Sequence, residues 1–202
     1  MSATIRVLGI AGSPRRHGNT EILLDQFLAG AEAAGAQVHK IVVSQLDFAG
    51  CLACGICARE GTCSIKDGFQ EVNRRLNSSD VIAIASPLYF WNVPARLKAL
   101  VDRGQVQWSR KVESRAPLAP SAAGHIRRRG AFICVGGHPR GHFEGTVQTI
   151  KSFLGVYEAD YWGELLYRRV DAKGAIRDHA TALQEAEELG HRATSEPWND
   201  EA

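Results

Sequence analysis

Along the chain, short apolar runs alternate with stretches in which apolar residues recur every three or four positions. The runs read as strands and the spaced stretches as helices. Ile5–Ile10 is the first run, and the segment after it places Leu24, Phe27, Leu28 and Ala31 on one helical face. Gln37–Ser44 reads as a second strand, and Asp67 is placed to cap a short helix with Phe69, Val72 and Leu76 on one side. Val81–Ala85 is apolar almost throughout, the pattern of a strand buried on both faces. Asn92 is a good N-cap and Pro94 suits the first turn of a helix whose inner face carries Val93, Leu97, Leu100, Val101 and Gly104. Residues 109–129, rich in Arg, Pro, Ala and Gly, read as a long surface loop. Ala131–Val135 is the expected fourth strand, and Val147, Ile150 and Leu154 mark the next helical face. Tyr157–Leu166 is the expected fifth strand and Ala172–Leu189 the last helix. The chain past Gly190 is expected to fray.

Such alternation predicts an α/β architecture: a flavodoxin-like, doubly wound, five-stranded parallel sheet with helices on both faces. A cysteine-rich insert, residues 48–66, follows the second strand. No repeat or second domain is visible, so residues 1–190 read as one domain and 191–202 as a tail. In sheets of this kind a ligand sits beyond the carboxyl ends of the strands, near the point where strand order reverses. The loops after strands one, three and four emerge there, and they are the segments Gly12–Thr20, Ser86–Asn92 and Gly136–Gly141.

Composition narrows the function more by exclusion than by indication. The 202 residues are 45% hydrophobic, enough to build a substantial core. A formal charge of +2 at pH 7 gives no footprint for nucleic acid or for an anionic membrane surface. No apolar run approaches the roughly 20 residues of a membrane helix, and the amino terminus lacks a signal-like pattern. A soluble, cytoplasmic protein is expected. Four of the five cysteines fall within 13 residues, which in a reducing compartment points to metal or redox chemistry rather than disulfide staples.

The first loop, Gly12-Ser13-Pro14-Arg15-Arg16-His17-Gly18-Asn19-Thr20, joins a strand to a helix N-terminus. Ser13, Asn19 and Thr20 supply side-chain donors, Gly12 and Gly18 permit close backbone approach, and the helix dipole favours an anion, phosphate above all. The same residues are equally those of an ordinary βα turn capped by Asn19 or Thr20. The loop lacks the Lys-Ser/Thr ending of a P-loop and the G-x-G-x-x-G spacing of a dinucleotide site, so a smaller ligand than ATP or NAD is expected. In the second loop Tyr89, Phe90 and Trp91 stand in a row after Pro87 and Leu88, suited to stacking on a planar ligand or, alternatively, to filling a core or a subunit interface. Gly136 and Gly137 in the third loop allow close approach of backbone. His138 and His142 are more simply read as solvated than as acid–base groups.

Gly12-Ser13-Pro14-Arg15…Gly18-Asn19-Thr20, Ser86-Pro87-Leu88-Tyr89-Phe90 and Leu97-Lys98…Asp102-Arg103 together resemble the NADPH-dependent FMN reductases of the flavodoxin superfamily. The likeness covers roughly residues 4–165. It implies an FMN-dependent oxidoreductase in which Ser13, Arg15, Gly18, Asn19 and Thr20 grip the FMN phosphate. Pro87, Leu88, Tyr89, Phe90 and Trp91 would then pass beside the isoalloxazine, with Gly136 and Gly137 on its other side. Trp91-Asn92 departs from the smaller residues usual in that family, which bears on how open the flavin is to a nicotinamide.

Cys51-x2-Cys54-x2-Cys57-x5-Cys63 suits a loop wrapping a cubane, and Gly50, Gly55 and Gly61 leave room for its turns. The spacing is similar to that of the iron–sulfur flavoproteins, a branch of the same family, which implies a 4Fe-4S cluster on these thiolates. Structural zinc and a bare or partly oxidised thiol loop remain open readings. Cys134, inside an apolar strand, reads as an inert core thiol. The family likeness further implies NAD(P)H or a one-electron carrier such as ferredoxin as partner, and a homodimer or homotetramer. Two rivals stand beside electron transfer: a plain NAD(P)H-dependent FMN or quinone reductase without a cluster, and a non-enzymatic redox sensor.

Overall fold

A computed structural model describes residues 4–113 and 118–198. Strands β1 (Arg6–Ala11), β2 (Gln37–Val42), β3 (Val81–Pro87), β4 (Arg128–Val135) and β5 (Ala159–Tyr167) pair in parallel in the order β2-β1-β3-β4-β5. The helices are α1 (Asn19–Ala33), α2 (Ile56–Glu60), α3 (Phe69–Ser78), α4 (Ala95–Arg103), α5 (Gln105–Val112), α6 (Glu144–Val156) and α7 (Ala182–Ser195). This is the flavodoxin-like doubly wound sheet, with strand order reversing between β1 and β3.

Side-chain alternation along the strands splits the interior in two. Leu8, Ile10, Ile82, Ile84, Phe132 and Cys134 face the core closed by α3, α4 and α6. Val7, Ala11, Val81, Ala83, Ala85 and Ile133 face the core closed by α1 and α7. The second face is built largely of small residues, so α1 lies close: a Cβ on Gly9 would sit 2.9 Å from Leu28 Cδ1. Helices α1 and α7 approach more closely still. A Cβ on Gly30 would fall 1.9 Å from the Glu187 carbonyl oxygen, and one on Gly190 1.8 Å from that of Phe27.

Several element boundaries differ from the sequence reading. The second strand stops at Val42, where Val43–Gln45 turns in a single 3-10 turn. Pro94, not Asn92, precedes the first turn of α4, because Asn92 closes a hairpin with Tyr89 instead. The expected loop at 109–129 begins inside α5 and ends inside β4; residues 114–117 lie outside the described residues. Tyr157 caps the end of α6 rather than opening the fifth strand, and its hydroxyl donates to Asn73 Oδ1 at 2.9 Å. Helix α7 continues past Gly190 to Ser195, because Arg129 donates to the Ala193 and Glu196 carbonyls and stacks on Trp198. The expected frayed tail is thus helical over its first residues, and 199–202 lie outside the described residues.

Candidate functional site

Gly12 leaves β1 by donating its N–H to the Ala85 carbonyl at 2.8 Å, and a Cβ there would meet Leu97 Cδ2 at 2.4 Å. The first loop therefore lies tight against α4. Ser13 is buried and its Oγ accepts the Arg15 N–H at 3.1 Å. Gly18, in extended conformation, is the N-cap of α1, whose first-turn amides have no partner within the helix. Glu21, buried in that first turn, accepts the His17 N–H at 2.6 Å and pairs with Arg16 and Lys40, each at 3.2 Å. Burial alone would raise its carboxyl; the hydrogen bonds from His17, Arg16 and Lys40 outweigh that and hold it below the usual range. Sequence reasoning passed over Glu21, although an acid in a first helical turn is a recognised signal.

The three loops do converge. A cavity of about 80 Å³ is lined by Ser13, Arg15, Gly18, Asn19 and Thr20 from the first loop and by Pro87, Leu88 and Tyr89 from the second. Gly137 represents the third loop. Val170, Asp171 and Lys173, from the segment after β5, complete the wall, and these were missed. Their signal was present: a polar Asp-Ala-Lys-Gly turn follows a strand whose carboxyl end opens on the same edge.

Phe90, Trp91 and Gly136 are not brought to that cavity. Tyr89 and Asn92 exchange two backbone hydrogen bonds of 2.8 Å, making a two-residue hairpin whose tip residues have φ of +46° at Phe90 and +61° at Trp91. This is the left-handed tip that ordinarily calls for Asn-Gly. Phe90 is fully exposed at 100%, whereas Trp91 packs edge-on against His138 and His142, with ring centroids 6.0 and 5.0 Å away. Gly136 is packed under Leu88 and Phe143. His138 accepts the Arg140 N–H on Nδ1, as a loop-shaping residue does.

A second cavity, of about 510 Å³, is lined by all four clustered cysteines together with Arg103 and Trp108. None is in a disulfide; Cys51 and Cys54 are exposed and Cys57 and Cys63 half-buried. The wrap is achieved by left-handed turns at Ala53, Gly55 and Gly61 on either side of α2, which carries Cys57. Ser64 Oγ lies 3.5 Å from Cys54 Sγ, and that contact, with backbone amides, holds the Cys54 thiol below its ordinary range. Ser109 Oγ lies 3.6 Å from Cys57 Sγ. Among the described residues, no three His, Cys, Asp or Glu side chains are gathered closely enough to hold a metal ion. Cys134 is fully buried in β4, and burial pushes its thiol up, as an inert core residue requires.

Arg103 fastens this insert. Its guanidinium donates to both Asp67 carboxylate oxygens at 2.9 and 3.1 Å, to the Ala49 carbonyl at 2.8 Å and to that of Ile65 at 3.2 Å. Both ends of the cysteine segment are thereby tied to α4. Asp67 also accepts the Phe69 N–H while Gln70 accepts that of Asp67, a reciprocal cap for α3.

Residues 5–159 match the NADPH-dependent FMN reductase family. The chain belongs to that family. It is an FMN-dependent oxidoreductase by the same token. An iron-sulfur flavoprotein of Methanosarcina thermophila is 30% identical over 153 residues, 76% of this chain and 74% of that one. Another from Archaeoglobus fulgidus is 37% identical over 99 residues, spanning 49% of this chain and 45% of its own length. Among solved structures, an NAD(P)H:quinone oxidoreductase from Methanothermobacter marburgensis superposes with a TM-score of 0.65 at 19% identity, covering 97% of this chain and 100% of that one. An FMN-dependent NADH-azoreductase from Bacillus anthracis in complex with FMN gives 0.63 at 16%, over 95% and 100% of the two chains. At such identities the structures speak for the fold alone.

Proposed function

We propose that this FMN-dependent oxidoreductase is an electron-transfer iron–sulfur flavoprotein, pairing FMN with a 4Fe-4S cluster. The observation that carries the cluster is the single cavity lined by Cys51, Cys54, Cys57 and Cys63. Its volume of about 510 Å³ is large enough to take an inorganic core. Four thiolates are the ordinary ligand set of such a cluster. The likeness to proteins named iron-sulfur flavoprotein supports the same reading.

For FMN, the residues of the smaller cavity fit the phosphate end: an open helix N-terminus, the Ser13 and Thr20 hydroxyls and the Arg15 cation. Pro87, Leu88, Tyr89 and Gly137 supply flat backbone and an aromatic edge beside it. Phe90, Trp91 and Gly136 flank this wall without lining it. When bound, FMN exchanges electrons in pairs or singly and a cluster singly, so the two together can join a two-electron donor to a one-electron carrier. The protein's own part is to hold the phosphate, shelter the thiolates and keep Arg103 beside Cys63. NAD(P)H or a ferredoxin-like carrier is the expected partner, in a cytoplasmic homodimer or homotetramer.

Anaerobic purification followed by an absorption spectrum with iron, sulfide and flavin counts tests this directly. The expected result is a yellow-brown protein with FMN and about four irons per chain, losing its iron but not its flavin on Cys54→Ser. Flavin without iron or sulfide, and a Cys54→Ser protein of unchanged spectrum, would leave the plain reductase. A protein that refuses added FMN would overturn the flavin assignment itself.

A further inference from the structure

The side chain of Asn19, which lines the smaller cavity, reaches across to a distant segment of the chain. Its Nδ2 donates to the Ala172 carbonyl at 2.9 Å and its Oδ1 accepts the Ile176 N–H at 3.3 Å. Both polar atoms of the amide thus bond the segment that follows β5, more than 150 residues away in sequence. Gly174, at φ +85°, reverses the chain between those contacts and leads into a 3-10 turn at Ala175–Asp178. The consequence lies between the two anchor points. Lys173 is brought to the cavity wall alongside Arg15.

Among the described residues neither Arg15 nor Lys173 enters a salt bridge. Asp171 lines the same cavity, with its Oδ1 3.1 Å from where a Cβ on Gly137 would stand. Two cations against one carboxylate leave the lining side chains net positive, and the N-terminus of α1 adds to that sign. An anion is therefore favoured, and a phosphate dianion is better matched with Lys173 than without it. The family match ends at Ala159, so this segment lies beyond the residues it describes.

We propose that Lys173 is a phosphate-binding residue of the FMN site and that Asn19 is its positioning residue, tying residues 172–176 across the first loop. The assignment rests on the FMN reading above. It adds a second role to the one the sequence suggested: Ser13, Thr20 and backbone amides hydrogen-bond the phosphate, while Asn19 acts on it through Lys173.

The test is a fluorescence titration of flavin-free protein with FMN and with riboflavin, which lacks the phosphate. Lys173→Gln is expected to weaken FMN on the order of tenfold, the scale of one charge-assisted hydrogen bond, and to leave riboflavin unchanged. Lys173→Arg should retain most FMN affinity, and Asn19→Ala should lower it with riboflavin again unaffected. The wild-type affinity for FMN should also fall more steeply with salt than that of Lys173→Gln. Lys173 is exposed, so its replacement leaves both cores intact. A Lys173→Gln protein that keeps the full preference for FMN over riboflavin, or that loses both flavins equally, overturns the assignment of Lys173. A wild-type protein that binds neither flavin overturns the FMN reading and this inference with it.

Discussion

Replacing Asp67 by Asn removes one charge at nearly constant volume from the pair that closes the cysteine insert. The Arg103 side chain is 1% exposed and that of Asp67 15%, so the guanidinium would be left charged in a place that water scarcely reaches. Breaking a buried pair from one side costs about 3–5 kcal/mol. Arg103 keeps its carbonyl acceptors at Ala49 and Ile65, which puts the expected loss at the lower end, about 3 kcal/mol. For a chain of this size that is a fall in Tm of roughly 6–12 °C. Thermal and urea unfolding of metal-free protein, followed by circular dichroism, measures it.

The pH dependence supplies the sign. Burial would raise the Asp67 carboxyl, but Arg103 and the Ala49 and Phe69 amides overcome it and hold the group below its usual value. A carboxyl lowered in the folded state stabilises above its unfolded pKa, about 3.9, and that contribution disappears as pH falls through the lower folded value. The wild-type and Asp67→Asn curves should therefore lie apart at neutral pH and converge below about pH 4. A difference under about 0.5 kcal/mol at pH 7, the range of an ordinary surface substitution, would refute the clamp. So would a gap that persists unchanged into acid.

Two further outcomes follow from the backbone. Gly190→Ala would raise helix propensity by roughly 1 kcal/mol, yet its methyl would stand 1.8 Å from the Phe27 carbonyl oxygen, so helix α7 must move off α1 and urea unfolding should show a net loss. Phe90→Gly should do the opposite. It removes a left-handed φ of +46° from a side chain that is wholly in solvent, and a gain of about 1 kcal/mol is expected in the same assay; destabilisation would mean that the ring packs against something.

The strands and their order were legible because continuous apolar runs mark strands buried on both faces, as in Val81–Ala85, and a period of 3.6 marks helices buried on one, as in α3. The convergence of the Ser13–Thr20, Pro87–Tyr89 and Gly137 segments followed from topology, since parallel strands deliver their loops to one edge. What escaped were long-range choices between equivalent local options. Asn92 has the chemistry of a cap, but its backbone found Tyr89 and its Oδ1 took the Val93 N–H at 2.8 Å. Asn19 has the chemistry of a phosphate ligand, and nothing local says that its amide also bonds a carbonyl and an amide from residues 172 and 176. Arg103 was read as part of a family motif; nothing local in the sequence says that its fork closes on Ala49, Ile65 and Asp67.

Helix α4 joins these two stories. Leu97 near its start packs where a Cβ on Gly12 would be, fixing the first loop, and Arg103 at its end holds the cysteine insert. Nine residues at about 1.5 Å each separate the ends of one rigid element, which abuts the first loop at Leu97 and lines the cysteine cavity at Arg103. Its inner face, Leu97 and Leu100, is fully buried beneath the sheet, so neither end can shift without disturbing the core. The first loop and the thiol loop are thus registered to each other through packing. Arg103 belongs to the stretch that carries the general family likeness, and here its guanidinium bonds both borders of the four-cysteine loop, so iron and sulfide counts, which read that loop directly, decide more than any turnover assay.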